Sequence, residues 1–217
     1  MRTEKILPET VYIDNVKETE ELFDFYVPKF IRNYEKQPTL SKDWNIHTDY
    51  HKESGDDIYE GIEDIDFGFA EEVYFKYIKN FISHYFPEIL DPQWEFDGIW
   101  YNIYGKNQEA EVHTHAGHSF SLVHYLQYEK GSHSPIVFVN SYTKEEASIN
   151  IEYGDIIMFK SDIFHRVGSN HSDKNRISIA LNINVPGFVT FKEEVKLTKE
   201  EIELQKYCDS LQTGDNE

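Results

Sequence analysis

The residues best suited to chemistry are histidines at short spacing. Five of the ten histidines fall between positions 113 and 133, and the tightest group is His113-Thr114-His115. On a strand, residues i and i+2 point to the same face, so one extended segment can aim both imidazoles at one cation. A third donor must come from elsewhere. His165 is the best placed, because it enters a strand directly after the hairpin-like run Gly154 to Asp162. Three histidines held this way make a metal site. Eleven residues beyond His165, Arg176-Ile177-Ser178 opens the last strong strand, and Arg176 and Ser178 share one of its faces.

Those residues need a β framework, and the periodicity of 96–190 supplies one. Short β-rich runs at 98–104, 109–115, 119–128, 135–140, 148–151, 155–160, 164–168 and 176–185 are separated by turn residues such as Gly105-Lys106-Asn107 and Tyr153-Gly154-Asp155. About eight short strands at this spacing predict a sandwich or barrel. Residues 1–95 read as mostly helical and irregular. Apolar residues at four-residue spacing predict a helix within Val16–Tyr34, kinked or split at Pro28, and the clearest helix covers 69–86 and ends at Pro87. Its stripe of Val73, Tyr74, Tyr77, Ile78, Phe81, Ile82 and Tyr85 is expected to cover an outer sheet face. Thr10–Ile13 reads as an edge strand. Residues 191–217 are charged, with a short helix expected from the capping pattern Thr198-Lys199-Glu200-Glu201. The organisation expected is one compact domain: a helical part over 1–95, a catalytic β core over 96–190 and a charged tail over 191–217.

The order of features resembles the 2-oxoglutarate/Fe(II)-dependent oxygenase superfamily over about residues 98–185. A paired strand motif comes first, a distal histidine about fifty residues later, then Arg-x-Ser roughly ten beyond. The chain is most similar to a bacterial and phage branch carrying His-x-His and a Ser-Leu-Val-His-Tyr-Leu-like strand, here residues 121–126. The resemblance implies a mainly β fold with flanking helices: a cupin-like double-stranded β-helix, or jelly roll, with N-terminal helices packed on one sheet. It implies Fe(II) held by His113, His115 and His165, and 2-oxoglutarate as co-substrate, its distal carboxylate paired with Arg176 and assisted by Ser178. Asn102, Tyr104 and Tyr125 are the further candidates for co-substrate contacts. The reaction implied is hydroxylation of a small-molecule or peptide substrate with conversion of 2-oxoglutarate to succinate and carbon dioxide.

The sequence departs from the superfamily at His115, where most members carry Asp or Glu. Three neutral imidazoles also suit zinc, and Glu111 or Asp162 are alternative oxygen donors. Two other functions fit this departure: a three-histidine cupin-type enzyme that does not use 2-oxoglutarate, and a jelly-roll binding module without catalysis. His47-Thr48-Asp49 matches the literal His-x-Asp pattern, but it lacks the surrounding strand rhythm and reads as a loop or edge segment. His124 reads as a packed core histidine. His118 and His133 read as pocket or surface residues, and His171 as exposed.

Composition narrows the partners. The 217 residues carry 21 basic and 40 acidic side chains, a formal net charge of −19. Such a surface repels nucleic-acid phosphates and anionic membranes. Cys208 is the single cysteine, which excludes a disulfide framework within one chain. With no long apolar run and no signal-peptide pattern, a cytoplasmic protein is expected. The flanking segments are candidates for a homodimer contact.

Overall fold

A computed structural model describes residues 1–6, 9–41, 44–50, 52 and 57–188. Eleven strands and two long helices account for these residues: β1 (Arg2–Ile6), β2 (Glu9–Asn15), α1 (Thr19–Lys36), β3 (His47–Thr48), α2 (Gly68–Tyr85), β4 (Glu95–Tyr104), β5 (Ala110–His113), β6 (Phe120–Gln127), β7 (Ile136–Val139), β8 (Glu146–Ser148), β9 (Asp155–Lys160), β10 (His165–Val167) and β11 (Arg176–Asn184). They form a seven-stranded sheet in the order β1-β2-β9-β6-β11-β4-β3 and a four-stranded sheet in the order β5-β10-β7-β8. Neighbouring strands pair antiparallel throughout. This is the jelly roll that the family resemblance implies, within the sandwich or barrel class that the strand rhythm predicts.

The alternation of side chains explains how one sheet serves two purposes. On β11, Ile177, Ile179, Leu181 and Ile183 join the core shared with α1 and α2. On the same face, β4 contributes Tyr101 and Ile103, β6 contributes Leu122 and Leu126, and β9 contributes Ile156 and Met158. The helices answer with Leu22, Tyr26 and Phe30 from α1 and Tyr74, Ile78 and Phe81 from α2, all fully buried. The opposite face turns toward the second sheet, where Tyr125, Ile157 and Phe159 pack with Ile136 and Phe138. Both faces are therefore covered, and Arg176–Val185 is buried apart from the half-buried Asn184. One helix contact is close: the Phe30 and Tyr101 rings stack at 4.1 Å and 5°. Such pairs contribute about 0.5–1.5 kcal/mol beyond their buried area.

Three features differ from the sequence reading. Helix α1 runs unbroken through Pro28, so the proline neither splits nor ends it; packing of its apolar face outweighs the one backbone bond that Pro28 cannot make. The strand around Thr10–Ile13 is not the edge, because β1 pairs outside it. The first 95 residues thus supply three strands to the large sheet as well as both helices. The helix expected over 198–211 lies outside the described residues. Among the described residues no helix is long and apolar enough to cross a membrane.

Candidate metal centre

The triad is assembled by the smaller sheet. β5 and β10 pair so that His113 and His165 are direct Cα partners. β5 ends at His113, so His115 sits just past the strand rather than on it as expected. Its N–H donates to the Ser161 carbonyl just past β9 at 2.8 Å, which keeps the segment beside the seven-stranded sheet. The ring centroids lie 4.3 Å (His113–His165), 5.2 Å (His113–His115) and 5.4 Å (His115–His165) apart. One nitrogen from each ring falls within 4.8 Å of the other two, the single such cluster of His, Cys, Asp or Glu among the described residues.

Backbone carbonyls set the tautomers. His113 Nδ1 donates to the Glu111 carbonyl at 2.8 Å, and His165 Nδ1 donates to the Ile163 carbonyl at 2.9 Å. Each ring therefore presents its Nε2 lone pair to the shared space. His115 Nδ1 is buried and has no hydrogen-bond partner among the described residues. Burial, reinforced by the neighbouring imidazoles, depresses these rings: His115 falls to about 3, His165 goes well below its ordinary value, and burial lowers His113 too. All three are neutral near pH 7, the form that ligates metal. Glu111 and Asp162 are exposed and stand outside the cluster; Glu111 serves through its backbone.

Arg176 lies across the same cavity. Its side chain is fully buried, and Nε and Nη1 have no hydrogen-bond partner. The guanidinium carbon sits 4.8 Å from the Tyr104 ring centroid and 5.1 Å from that of Tyr125. Tyr125 Oη is likewise buried without a hydrogen-bond partner among the described residues. Ser178 is the cross-strand partner of both Asn102 and Tyr125. Asn102, Tyr104 and Ser178 line the cavity together with the three histidines; Tyr125 packs against the Arg176 guanidinium and does not line it. No aspartate or glutamate lines this cavity. A buried guanidinium without an anion is costly, and a divalent ion beside it would make the cavity doubly electropositive. The donor set thus fits a divalent metal together with an anionic ligand carrying a carboxylate and further oxygen acceptors.

Trp44 and Tyr50, which no sequence motif marks, stand with Trp100 as aromatic walls around the triad. Trp44 lies 4.5 Å from the His113 ring, Trp100 lies 5.3 Å from His115, and Tyr50 lies 5.6 Å from His115 and 4.5 Å from Trp100. Trp44 and Tyr50 come from a polar, irregular stretch with no periodicity to flag it. The His-x-Asp segment has a different task. His47 Nδ1 donates to the Gln37 carbonyl at 2.7 Å, and its Nε2 accepts from Tyr101 Oη at 2.8 Å. Thr48 Oγ1 donates to the Tyr101 carbonyl, and Asp49 accepts the Tyr101 N–H. These contacts tie β3 to β4.

Three further histidines also find partners. His124 is buried between Thr19 Oγ1 (3.0 Å) and Tyr74 Oη (2.8 Å). His118 pairs with Asp97. His133, read as a pocket or surface residue, is buried and bonds the Glu129 N–H and the Lys174 carbonyl. His171 is exposed as expected.

Residues 98–182, from β4 to β11, match the family model described as "Putative 2OG-Fe(II) oxygenase". Over these residues the chain is similar to that family. The match spans both histidine segments and Arg-x-Ser. No curated protein matches the chain by sequence. Several solved structures share the fold at low identity. A Pseudomonas putida prolyl-4-hydroxylase is 13% identical with a TM-score of 0.53, over 82% of this chain and 93% of that one. The viral collagen prolyl hydroxylase of Paramecium Bursaria Chlorella virus-1, solved as a 2OG complex, is also 13% identical with a TM-score of 0.53, over 80% and 94%. AviO1 from Streptomyces viridochromogenes is 11% identical with a TM-score of 0.58, over 83% and 91%. At these identities the likeness concerns the jelly roll.

Proposed function

We propose that the protein is an Fe(II)- and 2-oxoglutarate-dependent dioxygenase that hydroxylates a small-molecule or peptide substrate. His113, His115 and His165 hold the iron. Arg176 receives the distal carboxylate of 2-oxoglutarate, with Ser178, Asn102, Tyr104 and Tyr125 arranged around the chain of the keto acid. When bound, iron and co-substrate together supply an oxidation in which one atom of dioxygen enters a substrate C–H bond and the other enters succinate, with release of carbon dioxide.

The protein's share is binding and exclusion. The carbonyl acceptors at Glu111 and Ile163 fix two ligand rings. Tyr104 and Tyr125 sandwich the guanidinium and hold its fork in place. Trp44, Tyr50 and Trp100 wall off the metal from bulk water. The free space between triad and guanidinium is about 40 Å³, room for a few waters. Admission of the keto acid therefore requires a side-chain movement, for which the unbonded Arg176 and the rim residue Trp44 are positioned.

The observation that carries this reading is the fully buried Arg176 without an anion, facing three neutral imidazoles. A zinc site that activates water has no use for that guanidinium. The test is oxygen consumption and succinate formation by the Fe(II)-loaded protein with 2-oxoglutarate. Slow turnover that disappears in Arg176→Ala supports the reading; oxygen uptake indifferent to 2-oxoglutarate refutes it.

A further inference from the structure

β11 carries Arg176, Ser178, Ala180 and Asn182 at two-residue spacing along one face, a row of about 20 Å. The first three line the metal cavity, and the fourth lines an adjoining groove. Tyr50 and Trp100 are walls of both. The groove, about 990 Å³, is at the upper end of the range for small-molecule pockets.

Asn182 is 1% exposed, and its carbonyl oxygen is already committed. Ser121 Oγ donates to Asn182 Oδ1 at 2.8 Å, Ser121 Oγ lies 2.9 Å from Ser161 Oγ, and the Ser161 carbonyl holds the His115 N–H. This chain fixes the amide so that Nδ2, which bonds no described residue, is left to the groove. With its oxygen held by Ser121 and its amide hydrogens facing the groove, the side chain can donate to a ligand carbonyl there. The rim around it is acidic. Asp64, Asp66, Glu71 and Asp97 line the groove against Lys52 and His118. Lys52 is bridged to Asp64 and His118 to Asp97, while Asp66 and Glu71 carry no ion pair among the described residues.

We propose that the groove binds a basic peptide segment. One backbone carbonyl accepts from Asn182 Nδ2. A lysine or arginine side chain is held by Asp66 and Glu71, and an adjoining residue lies against the touching Tyr50 and Trp100 rings, which must part for it to reach the triad. Carbonyl and cation are required in one ligand, and a peptide supplies both. This inference rests on the oxygenase reading, because it names the substrate class for that site.

The test uses the Fe(II)- and 2-oxoglutarate-loaded protein under nitrogen, with fluorescently labelled, end-capped heptapeptide pools whose central residue is Lys, Arg or Glu. The Lys or Arg pool should bind at least tenfold tighter than the Glu pool. Asn182→Ala should weaken that binding at least fivefold, and Glu71→Lys, a partly exposed change that spares the β core, should abolish the preference. Equal binding of all pools, preference for the Glu pool, or a preference that survives Glu71→Lys overturns the proposal, as does free spermidine competing as strongly as the Lys pool. Titration of 2-oxoglutarate in the same samples separates the two readings. If the keto acid binds and charge makes no difference, only the substrate class falls; if it does not bind, the oxygenase reading falls.

Discussion

His113 and His165 are direct cross-strand partners, and their rings approach to 4.3 Å although 51 positions separate them in the chain. The β5–β10 pairing therefore builds two thirds of the triad, and a metal bound there binds the folded state alone. Metal should stabilise the protein by mass action, about 2.7 kcal/mol at a hundredfold excess over Kd. EDTA-treated protein should show a rise in Tm with Fe(II) or Co(II) under nitrogen. His113→Ala and His165→Ala should each remove that rise.

Arg176 should decide co-substrate affinity. Hydrogen bonds to charged groups contribute about 1.5–3 kcal/mol, so Arg176→Met should weaken 2-oxoglutarate binding roughly 10- to 150-fold. The same variant removes a buried cation that has no anion in the unliganded state. Without 2-oxoglutarate its urea midpoint should match or exceed that of the native protein. Calorimetric titration and urea denaturation check the two halves; a strong loss of stability would show that Arg176 has an internal partner.

His47 should behave as a structural residue. Its ring joins Gln37 and Tyr101 and is fully buried. His47→Ala leaves Tyr101 Oη and the Gln37 carbonyl short of a partner and opens a void, at a cost of about 2–4 kcal/mol. Metal stoichiometry by elemental analysis should stay unchanged. Loss of metal without loss of stability would assign His47 to the ligands.

His124 should make the fold acid-sensitive. Burial lowers its pKa from the ordinary 6.5 to about 3. A depressed folded pKa means that the unfolded chain takes up the proton first. The stabilisation is complete above pH 6.5 and is lost as pH falls toward 3, about 2 kcal/mol by pH 5. Urea midpoints at pH 7 and pH 5 should differ less in His124→Gln than in the native protein.

The sequence made the larger part of this arrangement legible because strands advertise themselves. The alternation on β11, Arg176-Ile177-Ser178-Ile179, placed the polar row on one face and the apolar row under the helices. On β4 the cavity takes the row Trp100, Asn102 and Tyr104, one of the two that alternation allows. What escaped notice has no period. Trp44 and Tyr50 reach the triad from an irregular segment, and only the folded path of that segment brings them there. β1 escaped because four of the five residues of Arg2–Ile6 are polar and the strand gains its register from β2. His115 was assigned to a strand that stops two residues earlier, where the bond to Ser161 turns the chain.

The most direct measurement is an anaerobic titration of the Fe(II)-loaded protein with 2-oxoglutarate, followed by visible charge-transfer absorption. The account predicts one iron and one keto acid per chain, with the iron lost in His165→Ala and the absorption band lost in Arg176→Ala. An iron content far below one per chain, or a band that forms equally well in Arg176→Ala, would contradict it.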